Sequence, residues 1–357
     1  MVDLRATRCC RGRALYIGRN NELYVTRRYG VYRSSDWGRS WALDCWVPAP
    51  AWRALAMRVG LAARLLRYYI AAFEVLSDGT RIAVARDGIY RAAPGQTRMS
   101  RTFHISRGSR PLNLTVDGMR VMFGEYGHFG EFPDRLVPHE VSLYVSEDGG
   151  RTFAVGHHFA SGDIRHVHNI FVDPYADCYW LFVGDYKTQP GIGRLSKDLR
   201  TLDWLGRGQQ VFRAVAAFVE PDCLLYGTDS NVEPNYLVRL DKRTGEVRRL
   251  REMDGTSLYG TRFGPLRIIT TCTEPNPIST VKECSLYASL DGEDWQRFFV
   301  HKKDRYHPAL FQFGTLVLPY GRGSQPRGMF SGQAVAGADD RVFLVEPADA
   351  DSYTSND

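Results

Sequence analysis

Short alternating runs of Val, Ile, Leu, Tyr and Phe recur from one end of the chain to the other, broken every few residues by Gly, Asp, Asn or Pro. A period of two puts successive side chains on opposite faces, so these runs predict half-buried β-strands joined by tight turns. The helical period occurs in one segment. Between Ala51 and Tyr69, Trp52, Leu55, Val59, Ala62, Ala63 and Leu66 fall on one arc, with Arg53, Arg64 and Arg67 opposite. The plain expectation for 51–69 is a surface helix inserted between sheet units. The sharper one is a basic amphipathic helix in contact with an anionic membrane surface.

A longer repeat overlies the strand pattern. Gly30-Val31-Tyr32-Arg33-Ser34-Ser35-Asp36-Trp37-Gly38-Arg39-Ser40-Trp41 returns as Leu143-Tyr144-Val145-Ser146-Glu147-Asp148-Gly149-Gly150-Arg151-Thr152-Phe153, and in shortened form as Leu286-Tyr287-Ala288-Ser289-Leu290-Asp291-Gly292-Glu293-Asp294-Trp295. A degenerate copy runs from Arg194 through Asp198 to Trp204. Each copy is a strand, a Ser-x-Asp-x-Gly turn and an aromatic opening the next strand. Asp accepts local backbone N–H groups, Gly supplies the positive φ, and the aromatic packs back over the turn.

These units resemble Asp-box (BNR) repeats, the hairpin signature of sialidase-like β-propellers. The resemblance implies an all-β fold, a β-propeller of four-stranded blades. Counting four-strand units gives about seven blades, starting near residues 14, 71, 112, 166, 213, 257 and 308. Six is the alternative count, with both chain ends sharing one blade. The expected organisation is a single propeller domain over 1–347 and a disordered C-terminal tail over 348–357. Asp boxes are rim structure, so Asp36, Asp148 and Asp291 are poor catalytic candidates. A sialidase would also carry an Arg-Ile-Pro near the N-terminus; none occurs.

Composition narrows the classes. Apolar residues make up 44% and charged residues 24%, ordinary globular usage that argues against disorder and coiled coil. Lys and Arg number 46 against 40 Asp and Glu, and the charge is scattered rather than gathered on one tail or face, so a nucleic-acid partner is not expected. The first residues have no secretory pattern and no stretch is long enough to span a membrane, which predicts a cytoplasmic protein. Seven Cys without a CxxC pair predict buried thiols, neither a disulfide framework nor a zinc site.

In a propeller the inner strands line a channel, and loops at one end carry function. A second repeat points to that end. Apolar strands finish in Glu125-Tyr126, in Asp185, in Asp229 and in Glu274, at the same point of four successive units. Circular symmetry would bring these carboxylates around one mouth. Upstream of Asp185, His166 and His168 stand two apart and share a strand face, with Arg165 pointing the other way. Gln209 and Arg213 are expected at the matching inner position of the next unit. Arg135, in the loop after Glu125, and Asn235 complete a set of aromatics, amides, carboxylates and arginines suited to sugars.

Paired carboxylates in such a mouth suit glycoside hydrolysis. The expected catalytic set is Glu125, Asp185, Asp229 and Glu274; the expected substrate contacts are Tyr126, Arg135, Arg165, His166, His168, Gln209, Arg213 and Asn235. The partner is a carbohydrate or glycosylated small molecule. This reading needs no cofactor; a divalent cation at His166 and His168 is the alternative there. Two rival readings stand beside it: a polysaccharide lyase using the His, Tyr and Arg groups on uronates, and a non-catalytic carbohydrate-binding or scaffold propeller.

Overall fold

The computed structural model describes residues 3–66, 69–85, 87–106, 108, 110–127, 137–185, 188–278 and 281–348. The alternating runs form antiparallel meanders. Four stand as separate four-stranded sheets, over 72–104, 115–159, 166–207 and 214–253. The other strands join one 13-stranded sheet. It contains the meanders over 13–46 and 256–302, and a closing unit in which Thr315–Val317, Gly328–Gln333 and Arg341–Pro347 are completed by the N-terminal strand Leu4–Arg11. A short strand, Tyr320–Gly323, runs parallel to both Arg13–Ile17 and Thr256–Phe263 and stitches these units together.

The core is a series of interfaces between successive sheets. Phe73 and Ala83 pack with Leu15 and Tyr24 of the preceding unit; Met122 and Leu143 pack with Tyr179 and Leu181 of the following one; Phe182 packs with Leu224 and Tyr226. The last interface joins Leu4, Ile17, Phe263, Leu286, Phe330 and Val345, drawing on the first unit, the sixth and the closing one. Each sheet therefore buries both faces against neighbours. The first strands of successive units line a channel, represented by Tyr16, Glu74, Thr115, Asn169, Val215 and Tyr259, together with Tyr320 of the stitching strand.

The Ser-x-Asp turns are self-contained. Ser34 Oγ donates to Asp36 Oδ1 at 2.8 Å and accepts Gly38 N–H, while Asp36 accepts Ser40 N–H. Ser146, Asp148, Gly150 and Thr152 repeat this arrangement, as do Ser289, Asp291, Gly292 and Asp294. Gly38, Gly150 and Gly292 have φ of 80°, 77° and 81°, where a side chain is strained. With their oxygens occupied by the turns, the three carboxylates are structural.

Two expectations need correction. The 51–69 segment is two short helices, Ala51–Ala56 and Gly60–Leu66, neither burying a residue. Its predicted apolar arc faces water at Trp52, Leu55 and Val59, each more than half exposed. The chain turns at Met57–Val59 before one continuous face can dock. Of the seven thiols, Cys9 and Cys10 are only partly buried; the other five are buried, and all seven are free. Among the described residues no helix is long and apolar enough to cross a membrane. Arg135 and the tail over 349–357 lie outside the described residues.

Phe330, 1% exposed, stacks on Phe343 at 5.1 Å in the closing interface. Phe330→Ala is expected to cost about 3–5 kcal/mol, seen as a lower urea midpoint. An unchanged midpoint would mean that this interface does not contribute to global stability.

Candidate functional site

Strand His166–Val172 opens at the channel end where Cys178–Gly184 finishes, so Asp185 emerges beside His166. The ladder pairs His166 with Gly184 and Val167 with Val183, then skips His168 and resumes at Asn169 with Phe182. This bulge frees His168 from strict alternation. Its ring lies over Gly184, where an added Cβ would stand 3.0 Å from His168 Cε1. The imidazoles converge: their Nε2 atoms are 3.0 Å apart, and each faces Asp185, His168 at 2.9 Å from Oδ1 and His166 at 3.2 Å from Oδ2.

Two arginines complete the Asp185 environment. Arg165 Nη1 lies 2.5 Å from Oδ2 and Arg213 Nε 3.1 Å from Oδ1, all buried. Arg165 therefore points into the site, contrary to the alternation expected for it, because it precedes the first paired residue of the strand. Burial alone would raise the Asp185 carboxyl; His166 and Arg213 outweigh it and hold the group well below its ordinary range. Burial brings the His166 imidazole down to about 4, so it is neutral near pH 7.

The ring nitrogens of His168 have distinct jobs. Nδ1 lies 2.9 Å from the Ala214 carbonyl, an acceptor only, and so carries its proton there. In a neutral ring Nε2 then presents a lone pair to the Asp185 carboxylate at 2.9 Å. That contact is repulsive unless a proton or metal cation lies between them. His166, His168 and Asp185 form a compact buried set of ligand atoms, all within 4.8 Å of one another. Donors about 3 Å apart match neighbouring positions around an ion bound at about 2.1 Å. By geometry and donor chemistry, the set fits a divalent transition metal.

Three of the four expected carboxylates gather. Arg213 Nε also lies 3.6 Å from Asp229 Oδ2, and Asp229 and Glu274 interact electrostatically with each other and with Arg213. Burial pushes Asp229 up to about 7, Arg213 opposing and Glu274 adding to the rise. Glu274 is likewise raised, by burial first. Asp229 Oδ1 is buried without a hydrogen-bond partner among the described residues. Glu125 is engaged locally: its Oε2 accepts the Ser142 N–H at 2.8 Å from the neighbouring strand, which is a structural bond. Tyr126 lies with its ring centroid 4.3 Å from that of His166, and burial pushes its phenol up.

Two amides differ from expectation. Asn235 is consumed locally, accepting from Thr228 Oγ1 and Ser230 N–H and donating to the Ser230 carbonyl. Gln209 is exposed; the short 3-10 turn Gln210–Phe212 rotates Gln210 inward instead, where it donates to the Asp185 carbonyl at 3.2 Å. Sequence reasoning missed Gln210 because a strand was assumed to start there. Asn231, in the loop after Asp229, accepts from Arg213 Nη1 at 2.9 Å. A groove of about 1140 Å³, lined by Asp185, Gln209, Gln210, Asn231, Glu233 and Arg249, opens beside the cluster.

No family model matches the chain. No curated protein matches it. Solved structures do. A GH74 enzyme from Niastella koreensis aligns with TM-score 0.52 at 12% identity, over 82% of this chain and 46% of that one. An oligogalacturonate lyase in complex with manganese aligns with TM-score 0.57 at 10% identity, over 98% and 96%. A chain of a mitotic checkpoint complex aligns with TM-score 0.54 at 10% identity, over 98% and 94%. The chain spans less than half the length of the GH74 structure. The hydrolase and lyase neighbours are β-propeller proteins, and the likeness assigns this chain that type of fold.

The raised Asp229 carboxyl makes a prediction for stability. The folded protein retains its proton up to about pH 7, whereas the unfolded chain loses it near pH 4. Its burial therefore costs progressively more stability as pH rises through that window. Asp229→Asn removes the cost, so urea melts should show the variant gaining on the parent from pH 4 to pH 7. A pH-independent difference would refute the raised value.

Proposed function

We propose that the chain is a seven-bladed propeller that hydrolyses glycosidic bonds at the Asp229 mouth, with Asp229 as general acid and Glu274 as its carboxylate partner. The blades would be the six consecutive meanders and the closing unit. The observation that carries the reaction is the buried Asp229 carboxyl, pushed up to about 7 and so partly protonated there, with one oxygen unpartnered among the described residues. A general acid is most effective when its pKa lies near the working pH. In this reading Asp229 gives its proton to the leaving glycosidic oxygen, and Glu274 acts as nucleophile or activates water. Asp185, paired with Arg165 and Arg213, is a positioning residue that sets the guanidinium between the two working carboxyls. Tyr126 offers a flat face to a sugar ring. The hydrolase and lyase neighbours support a carbohydrate as the substrate class; a cytoplasmic location remains part of this proposal.

A second reading is favoured by the His168 contact. If His166, His168 and Asp185 hold a divalent cation, the site suits β-elimination on a uronate. The cation would supply charge neutralisation of the uronate carboxylate, which acidifies the adjacent C–H. Tyr126, against His166, is then a phenol placed for proton transfer.

One experiment separates the readings: a glycan panel that includes oligogalacturonates, assayed after chelation and again with manganese. Hydrolysis predicts saturated reducing ends, indifference to chelator, and activity that falls as pH rises past about 7. It also predicts a loss of about 100- to 10,000-fold in Asp229→Asn. Full activity in that variant overturns the assignment. An ultraviolet-absorbing unsaturated product that requires manganese establishes the lyase instead, and saturable binding without turnover would make the propeller a binding module.

A further inference from the structure

The channel's other end holds charges that the reaction above does not use. A cavity of about 910 Å³ opens there, lined by the far ends of the first strands and containing none of His166, His168, Asp185 or Asp229. At the level of His168 the amides of Asn113 and Asn169 tie neighbouring first strands, donating to the His168 and Val215 carbonyls. The two mouths are chemically separate.

The wall of this cavity places two arginines side by side. The stitching strand Tyr320–Gly323 runs parallel to Thr256–Phe263 with Arg322 in register with Arg262. Like charges opposite one another on adjacent strands are destabilising. Among the described residues Glu220 is the carboxylate within ion-pair distance of this pair: it lies 3.4 Å from Arg262, but its shorter contact, 2.6 Å, is to Arg267. Arg322 makes no hydrogen bond or ion pair among the described residues, and burial together with Arg262 pushes its guanidinium down. Glu74, which also lines this cavity, interacts electrostatically with Arg322 but makes no hydrogen bond or ion pair among the described residues. Burial pushes its carboxyl up to about 8, so near pH 7 it is a neutral donor. Tyr16, Phe218 and Leu318 supply wall for the body of a small molecule.

We propose that this second mouth is a ligand site in which Arg262 and Arg322 together bind the oxyanion of a small molecule, a phosphate or a carboxylate. Two planar forks in register present parallel N–H donors to such a group. The anion removes the repulsion between them, and the cavity is large enough for a metabolite-sized ligand.

The test is calorimetry and thermal unfolding of the full chain in inorganic phosphate and in acetate, each against chloride at matched ionic strength. One saturable site and a rise in Tm are expected with at least one of them, the tighter anion identifying the group. Arg322→Gln should weaken that binding at least about tenfold while leaving Tm in chloride equal or higher, because a repulsion is lost. Glu74→Gln, which copies the neutral acid, should bind like the parent. The proposal is overturned by heats no different from chloride with either anion, or by undiminished binding in Arg322→Gln. Neither variant touches the Asp229 mouth, so glycan cleavage and anion binding fail independently.

Discussion

Antiparallel pairing of Leu4–Arg11 with Arg341–Pro347 is the constraint on which the rest of the molecule depends. A sheet packed on both faces is stable only if it has neighbours on both sides. An open row of such sheets would leave two apolar faces in water. Joining the chain's first strand to its last lets Leu4, Phe330 and Val345 form one cluster with Ile17 and Phe263. The ladder hydrogen bonds hold the N-terminal strand in register, and the apolar cluster supplies the hydrophobic drive. The chemistry of the site inherits this rigidity, because its residues stand at the starts and ends of strands that cannot move independently.

Within that frame the site is a problem of buried charge. An ionised carboxylate away from water is tolerable only with partners, and Asp185 has two guanidinium groups and two imidazoles. Arg213 is the hinge of the arrangement, since it faces Asp185 and Asp229 at once. Its positive charge opposes the desolvation of Asp229 without cancelling it. Three acidic groups at one mouth thereby acquire different proton affinities, a division of labour that a set of exposed carboxylates would lack.

The two mouths solve their electrostatics differently. Around Asp185 opposite charges are matched inside the protein. At the far mouth Arg262 reaches a carboxylate already engaged by Arg267, and Arg322 beside it makes no ion pair among the described residues, with the buried, raised carboxyl of Glu74 as an electrostatic neighbour. The stitching strand creates this imbalance, because it brings Arg322 beside Arg262 where a simple meander would place no second strand.

The strand pattern and the Ser-x-Asp turns were legible in the sequence because both are local: alternation needs only a neighbour two residues away, and the turns satisfy their own hydrogen bonds. The gathering of Asp185, Asp229 and Glu274 was also foreshadowed, since one repeat position projects to one place on a symmetric frame. The failures came where local periodicity gives way. A bulge skips His168, a 3-10 turn exchanges Gln209 for Gln210, and Arg165 sits just outside its ladder. Glu125 and Asn235 had the right position but found backbone partners that no linear pattern reveals. The 51–69 segment had helical spacing, yet it breaks at Met57–Val59 and leaves Trp52, Leu55 and Val59 more than half exposed. The amino-acid sequence by itself thus determined the strands, the turns and the repeat, which arise from contacts a few residues apart. Which carboxyl is protonated, which nitrogen faces which oxygen and where two arginines meet were decided only by tertiary structure. Proton affinity and ion pairing depend on burial and on neighbours far away in the chain.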